Sequence, residues 1–107
     1  MAVKSLFNGV KPTTTAETTL YTAGSTANGM RVVKFVASND TSAAATYTVR
    51  IYSASGTPDH IQPVTVVNRY KVHVPPSLSG VVIPANGRLT VQVNPANSIS
   101  FTGAGES

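Results

Sequence analysis

Glu17, Asp40, Asp59 and Glu106 are the only side-chain carboxylates of this 107-residue chain, and His60 and His73 its only imidazoles, a thin supply for acid–base chemistry. Catalysis needs such groups to converge with tuned protonation. Glycoside hydrolysis sets two carboxyl groups face to face across the scissile bond, and nothing in the spacing of these four arranges that. Asp59 directly precedes His60, a possible base beside its orienter, but neighbours on an extended chain point apart and no serine or threonine is singled out as a nucleophile. A metal held by His60 and His73 would need a further ligand from the carboxylates. The chain has no cysteine, so a disulfide scaffold, a thiolate zinc site and a cysteine nucleophile are all excluded. The glycines of "AGSTANG", "SASG" and "GAGES" lack the strand and helix that frame a phosphate-binding loop and are read as turn glycines. The expectation is a protein that is not an enzyme, with no catalytic residue, no metal site and no cofactor.

Binding is the remaining option, and charge narrows it. Eight Lys and Arg against four Asp and Glu leave +4, with 11% charged residues where a soluble domain typically has about a quarter. The basic residues are scattered from Lys4 to Arg88 without a run, and tryptophan is absent. A nucleic-acid groove interleaves basic residues with aromatic platforms, so nucleic acid is not an expected partner. Arg69, Lys71 and His73 are the most suggestive polar set, because strand alternation through "VTVVNRYKVHV" would put all three on one face. That face is either an exposed strand surface whose charges discourage edge pairing, or a docking surface.

These residues must be positioned by strands. Period-2 alternation in short runs bounded by Gly, Pro, Asn and Ser recurs along the chain, and no helical period is sustained. In "ATYTVRIYS", Tyr47, Val49 and Ile51 share one face; in "GRLTVQVN", Leu89, Val91 and Val93 do. "MRVVKFVASN" is apolar on both faces, which suggests a central strand, and it ends at Asn39 and Asp40 where a turn is favoured. "SGVVIPANG" supplies a short strand and a turn, and "SISFTG" a last strand with Ile99 and Phe101 inward. The threonine-rich "TTTAETTLYT" is read as a strand with Thr19 and Tyr21 on one face, because threonine is β-branched. "SASGTPDHIQP", residues 53–63, shows no pattern and is assigned to a surface loop.

Seven to eight strands at this spacing predict an all-β fold, a single antiparallel β-sandwich of jelly-roll or Ig-like type. Residues 12–107 form the predicted domain. Residues 1–11 carry Val3, Leu6 and Phe7 and are expected to be an apolar arm, packed on this domain or on a neighbour and dispensable for folding. No secretory h-region or membrane-length apolar stretch is present, so a soluble cytoplasmic product is expected.

The order of "TTTAETTLYTAG", "VVKFVASNDTS", "ATYTVRIYS", "IPANGRLTV" and "SISFTGAGES" resembles a group of small structural proteins of tailed bacteriophage virions. That group tends to place an apolar residue, a small residue and a glycine before the penultimate strand, and often closes on Ser/Thr-Gly-x-Glu. "TGAGES" is similar with one extra residue. The similarity runs over residues 13–107; "DHIQPVTVVNRYKVHVPP" and the N-terminal arm depart from it. It implies a non-enzymatic virion component made in the host bacterial cytoplasm and carried on the particle surface. The favoured role is a capsid decoration (cement) protein that binds the assembled major capsid protein, as a homo-oligomer expected to be a trimer. Val3, Leu6, Phe7, Arg69, Lys71 and His73 are its candidate interface. The alternative is a neck, tail or fibre accessory protein, with Tyr52, His60 and Tyr70 as candidates for contact with a host-surface glycan.

Overall fold

The computed structural model describes residues 3–25 and 29–106, without the side chain of Asp59. Nine strands run through these residues: β1 (Val3–Val10), β2 (Thr18–Thr22), β3 (Met30–Asn39), β4 (Ala45–Tyr52), β5 (Pro58–Val67), β6 (Val72–His73), β7 (Val82–Ile83), β8 (Arg88–Asn94) and β9 (Ile99–Glu106). All pairings are antiparallel. One sheet is ordered β1-β9-β3-β6, with β7 also on β3, and the other β2-β8-β4-β5. The expected β-sandwich is therefore found, with nine strands in place of seven or eight. With the two-residue β7 set aside, the other eight, counted in chain order, run 1-8-3-6 against 2-7-4-5. That is the double Greek key of a jelly roll rather than an Ig-like order.

The alternating apolar residues meet between the sheets. Tyr47, Val49 and Ile51 of β4, Leu89, Val91 and Val93 of β8, and Ile99 and Phe101 of β9 are all buried. At the centre the stacked rings of Phe35 and Tyr47, 6.4 Å apart, join the two sheets, and Phe101 stands edge-on to Tyr47 at 5.6 Å. Phe7 meets Phe35 edge-on at 5.8 Å. Its ring lies over Gly103, where an added Cβ would come within 2.4 Å of it. The glycine in "TGAGES" is thus the space that Phe7 occupies. Of the two places expected for the N-terminal segment, packing on its own domain is the one found. Residues 3–10 are an edge strand on β9, with Phe7 only 5% exposed, so an arm dispensable for folding is not what the packing describes.

Four local expectations are corrected, and extra residues in the ladders explain three of them. β3 is the central strand expected, between β9 and β6, but a register shift between Val32 and Lys34 places Met30 and Val32 inward, then Phe35 and Ala37, so "MRVVKFV" is apolar on both sides of a bulge rather than on two opposite faces. Another shift between Thr19 and Tyr21 sets Thr19 opposite Thr90 but Tyr21 opposite the buried Leu89; those two residues do not share a face. The surface loop assigned to residues 53–63 is confined to 53–57, since Pro58–Val67 is β5. Proline is tolerated there because β5 is an edge strand, paired only to β4, and Pro63 and Val64 fall where its register shifts. Finally, "VTVVNRYKVHV" is not one strand. It breaks after Val67, Tyr70 turns with φ of 56°, and the chain crosses to the other sheet as β6. The turn expected in "AGSTANG" includes residues 26–28, which lie outside the described residues.

Asn39, read from sequence as a turn former, ties that crossing together. Its buried amide nitrogen donates to the carbonyls of Ala43 and Val67, each at 2.9 Å, and its oxygen accepts from the Thr41 N–H at 2.9 Å. Its backbone N–H donates to Lys71 O at 2.9 Å.

Phe7→Ala should lower unfolding free energy by about 3 kcal/mol, and Asn39→Ala by about 2 kcal/mol through the carbonyls it leaves unpaired. Urea denaturation checks both, and deletion of residues 1–11 should cost at least as much as Phe7→Ala. A truncated chain with an unchanged midpoint would show that β1 does not hold the sheet.

Candidate functional site

The sandwich separates the six residues expected at an interface. Val3, Leu6 and Phe7 lie on β1, at one edge of the first sheet, and His73 lies on β6 at the opposite edge. Val3 is exposed, Leu6 packs partly on the core and Phe7 is inside it. Arg69 and Lys71 are exposed in the connection between β5 and β6, while His73 turns inward and shares a 2.7 Å hydrogen bond through Nδ1 with the hydroxyl of Tyr47. Only Arg69 and Lys71 remain together as free basic groups, because the strand that would have aligned His73 with them is broken at the turn.

The outer face of the second sheet carries a polar network. Thr90 on β8 donates its hydroxyl to Glu17, and Arg50 on β4 donates to Gln92 Oε1 at 3.0 Å. The Arg88 guanidinium sits 4.1 Å from the centre of the Tyr52 ring. Partial desolvation works to raise the Glu17 pKa. Hydrogen bonds from Thr90 and Tyr52, with the guanidinium charges of Arg50 and Arg88, outweigh it and hold the carboxyl below its ordinary value. The same bond to Glu17 pushes the Tyr52 hydroxyl up. Beside this network lies a shallow depression of about 520 Å³, lined chiefly by Thr46, Thr48, Arg50, Gln92 and Asn94. It offers hydroxyl, amide and guanidinium groups beside the apolar Val64 and Val93.

The first sheet presents the contrasting face. β3 is paired along β9 on one side, but on the other only at its ends: Met30 and Arg31 with β7, Ala37 and Ser38 with β6. Between these ends a groove of about 290 Å³ opens, floored by residues 33–36 and walled by Val74, Pro75 and Ser79. Around it Val33, Val72, Val74 and Val82 are 39%, 62%, 61% and 45% exposed. Arg31 at this face is held by Glu106 at 2.5 Å, and Lys11 pairs with Asp40 at 3.0 Å. Lys34, Arg69 and Lys71 form no ion pair among the described residues. A second set of exposed apolar residues, Ile61, Val64 and Val66, lies along β5.

The other sequence-stated candidates do not converge. Tyr52 ends β4 beneath Arg88, whereas Tyr70 is exposed near the other end of the β4–β5 ladder. His60 shares the inner face with Ile51, and its Nε2 is buried without a hydrogen-bond partner among the described residues. Asp59, imagined as its orienter, has its side chain outside the described residues. Among the described residues no group of three or more His, Cys, Asp or Glu is placed to hold a metal, and no helix is long and apolar enough to cross a membrane. The valine-rimmed groove was missed in sequence. Its one signal was "VTVVNRYKVHV" and "SGVVIPANG" supplying more valines than one inward face can use.

No family model, curated protein or solved structure matches the chain.

A carboxyl whose folded pKa is depressed stabilises the fold above its ordinary value, 4.5 for Glu17, and that contribution is lost as pH falls through the lower folded value. Urea midpoints taken from neutral pH downward should therefore fall less steeply in Glu17→Gln than in the unmodified chain below pH 4.5. Superimposable pH profiles would show that the Thr90 and Tyr52 bonds carry no weight. At the alkaline end, burial pushes the Tyr47 hydroxyl up, so its contribution holds below the ordinary value of 10.0 and is lost as pH rises beyond it.

Proposed function

We propose that this chain is a non-enzymatic structural protein of a tailed-bacteriophage virion, a capsid decoration protein that binds and stabilises the assembled shell. The observation that carries the reading is the outer face of the first sheet, where the exposed Val33 and Val74 line a groove with Lys34, which has no ion-pair partner among the described residues, and Val72 and Val82 are exposed on the short strands at its two ends. Contiguous exposed apolar surface of this kind marks an interaction site more often than an idle surface. Net positive charge favours steering to an acidic partner. A ligand that binds only the assembled lattice stabilises that lattice in proportion to occupancy. The jelly roll is also used by viral capsid domains and lectins; that is analogy of architecture, and the argument rests on the surface.

Decoration is favoured over an accessory role because a single small sandwich with a side-chain docking face suits attachment in many copies. The partner is then the major capsid protein, the location the particle surface, and the assembly a symmetric homo-oligomer, a trimer where the local axis is three-fold. One observation favours the second reading, a neck, tail or fibre accessory that contacts a glycan. The depression on the second sheet falls within the usual size range of ligand sites, roughly 300–1,000 Å³, and its lining of hydroxyl, amide and guanidinium groups suits a polyol.

Electron microscopy of particles assembled without this chain should show protrusions missing from the capsid face and tails unchanged. Intact heads with altered tails would overturn decoration in favour of the accessory reading. In reconstitution, Val74→Asp should lower occupancy at least about tenfold, equivalent to 1.4 kcal/mol, while the urea midpoint of the free chain stays the same.

A further inference from the structure

The gap in the first sheet has a shape and charge that specify what fills it. The loop before β7 satisfies Val32, whose N–H donates to Val81 O and whose carbonyl accepts from the Gly80 N–H, both at 2.8 Å. Beyond Val32, residues 33–36 have no strand beside them on that side, a length of about 13 Å at 3.3 Å per residue. The groove there is slightly smaller than ordinary small-molecule sites, which run from about 300 Å³ upward, and its walls are Val33, Val36, Val74 and Pro75 with no convergent polar set. It has room for a bulky apolar side chain. Lys34 lines it and Lys71 stands just before β6; neither has an ion-pair partner among the described residues.

We infer that this groove receives one apolar side chain of an extended acidic segment belonging to another protein. Side chains alternate along an extended segment, so the residues two positions before and after the inserted one face the same surface. A carboxylate at either of those positions would lie within reach of Lys34, which lines the groove. The required pattern is an apolar residue with an acidic residue two positions before or after it. A second copy of this chain fits less well. A two-fold contact through the groove would set Lys34 against its like, and the described carboxylates are engaged already: Asp40 by Lys11, Glu106 by Arg31 and Glu17 by Thr90.

The inference rests on the attachment reading above in naming the partner as a shell subunit, but the chemistry of the groove is tested separately. The probe is the peptide acetyl-Asp-Thr-Leu-Thr-Asp-amide titrated into the full chain, followed by amide chemical shifts. Shifts should saturate and centre on residues 33–36, Val74 and Ser79. They should weaken about tenfold in Lys34→Glu, weaken with added salt, and vanish when the peptide leucine is replaced by serine. No shifts, or shifts centred on the polar depression of the second sheet, would overturn the inference. Concentration-dependent shifts at the same amides without peptide would overturn it in favour of a second copy. Peptide binding by a chain that does not attach to particles would remove the virion reading and leave the groove. Attachment to particles by the unmodified chain and Lys34→Glu alike, with no peptide shift, would do the reverse.

Discussion

The stack of Phe35 on Tyr47 is the contact on which the rest of the sandwich depends. Each ring comes from the middle of a central strand, β3 in one sheet and β4 in the other, and their closure holds the two sheets face to face. Phe101 and Phe7 complete the cluster, so all three phenylalanines of the chain sit in one place. Aromatic pairs in such geometries add roughly 0.5–1.5 kcal/mol each beyond the area they bury. A chain without cysteine or tryptophan concentrates its large rings where they hold both sheets at once. Gly103 is part of the same constraint, since the last strand must leave room for the ring of the first.

Register follows from that closure. To bring Phe35 inward after Val32, β3 must carry an extra residue at Val33, and the bulge turns Val33 toward the outer face. The loop from Pro75 to Val81 then hydrogen-bonds to β3 through Val32, which leaves the groove beside Lys34. Core packing and candidate docking surface are thus coupled through one bulge. The second sheet solves its exposed face differently, with threonines and a carboxylate–hydroxyl–guanidinium network that satisfies its own polar groups. Both faces keep exposed apolar residues, Ile61, Val64 and Val66 along β5 on the second, but the first adds a groove floored by β3 beside Lys34, and that groove motivates the attachment reading.

Much of this was legible in the residue pattern. Strict alternation in β4, β8 and β9 identifies inward residues directly, because a period of two admits only one buried face. Alternation failed wherever an extra residue entered a ladder. Thr19 and Tyr21, the two apolar sets of β3, and residues 58–63, assigned to a loop, were each misread for that reason, since a bulge reverses the facing of everything after it. Arg69, Lys71 and His73 looked like one charged face because the turn at Tyr70 has no glycine to announce it; a tyrosine at φ of 56° is a rare choice. The N-terminal segment was recognised as too apolar for solvent, but its position on β9 depends on a glycine some hundred residues away.

By itself the sequence determined the class of fold, the set of inward residues in its regular strands, and the poverty of acid–base groups that turns the functional question toward binding. Those are local properties, carried by side-chain type and a two-residue period. Only the tertiary structure decided the jelly-roll order, the nine strands, the inclusion of residues 3–10 in a sheet, and the opening beside residues 33–36. Each of these depends on which distant strands pair and where their registers slip. That is settled by how the rings of Phe7, Phe35, Tyr47 and Phe101 pack together, a condition no single stretch of the chain contains.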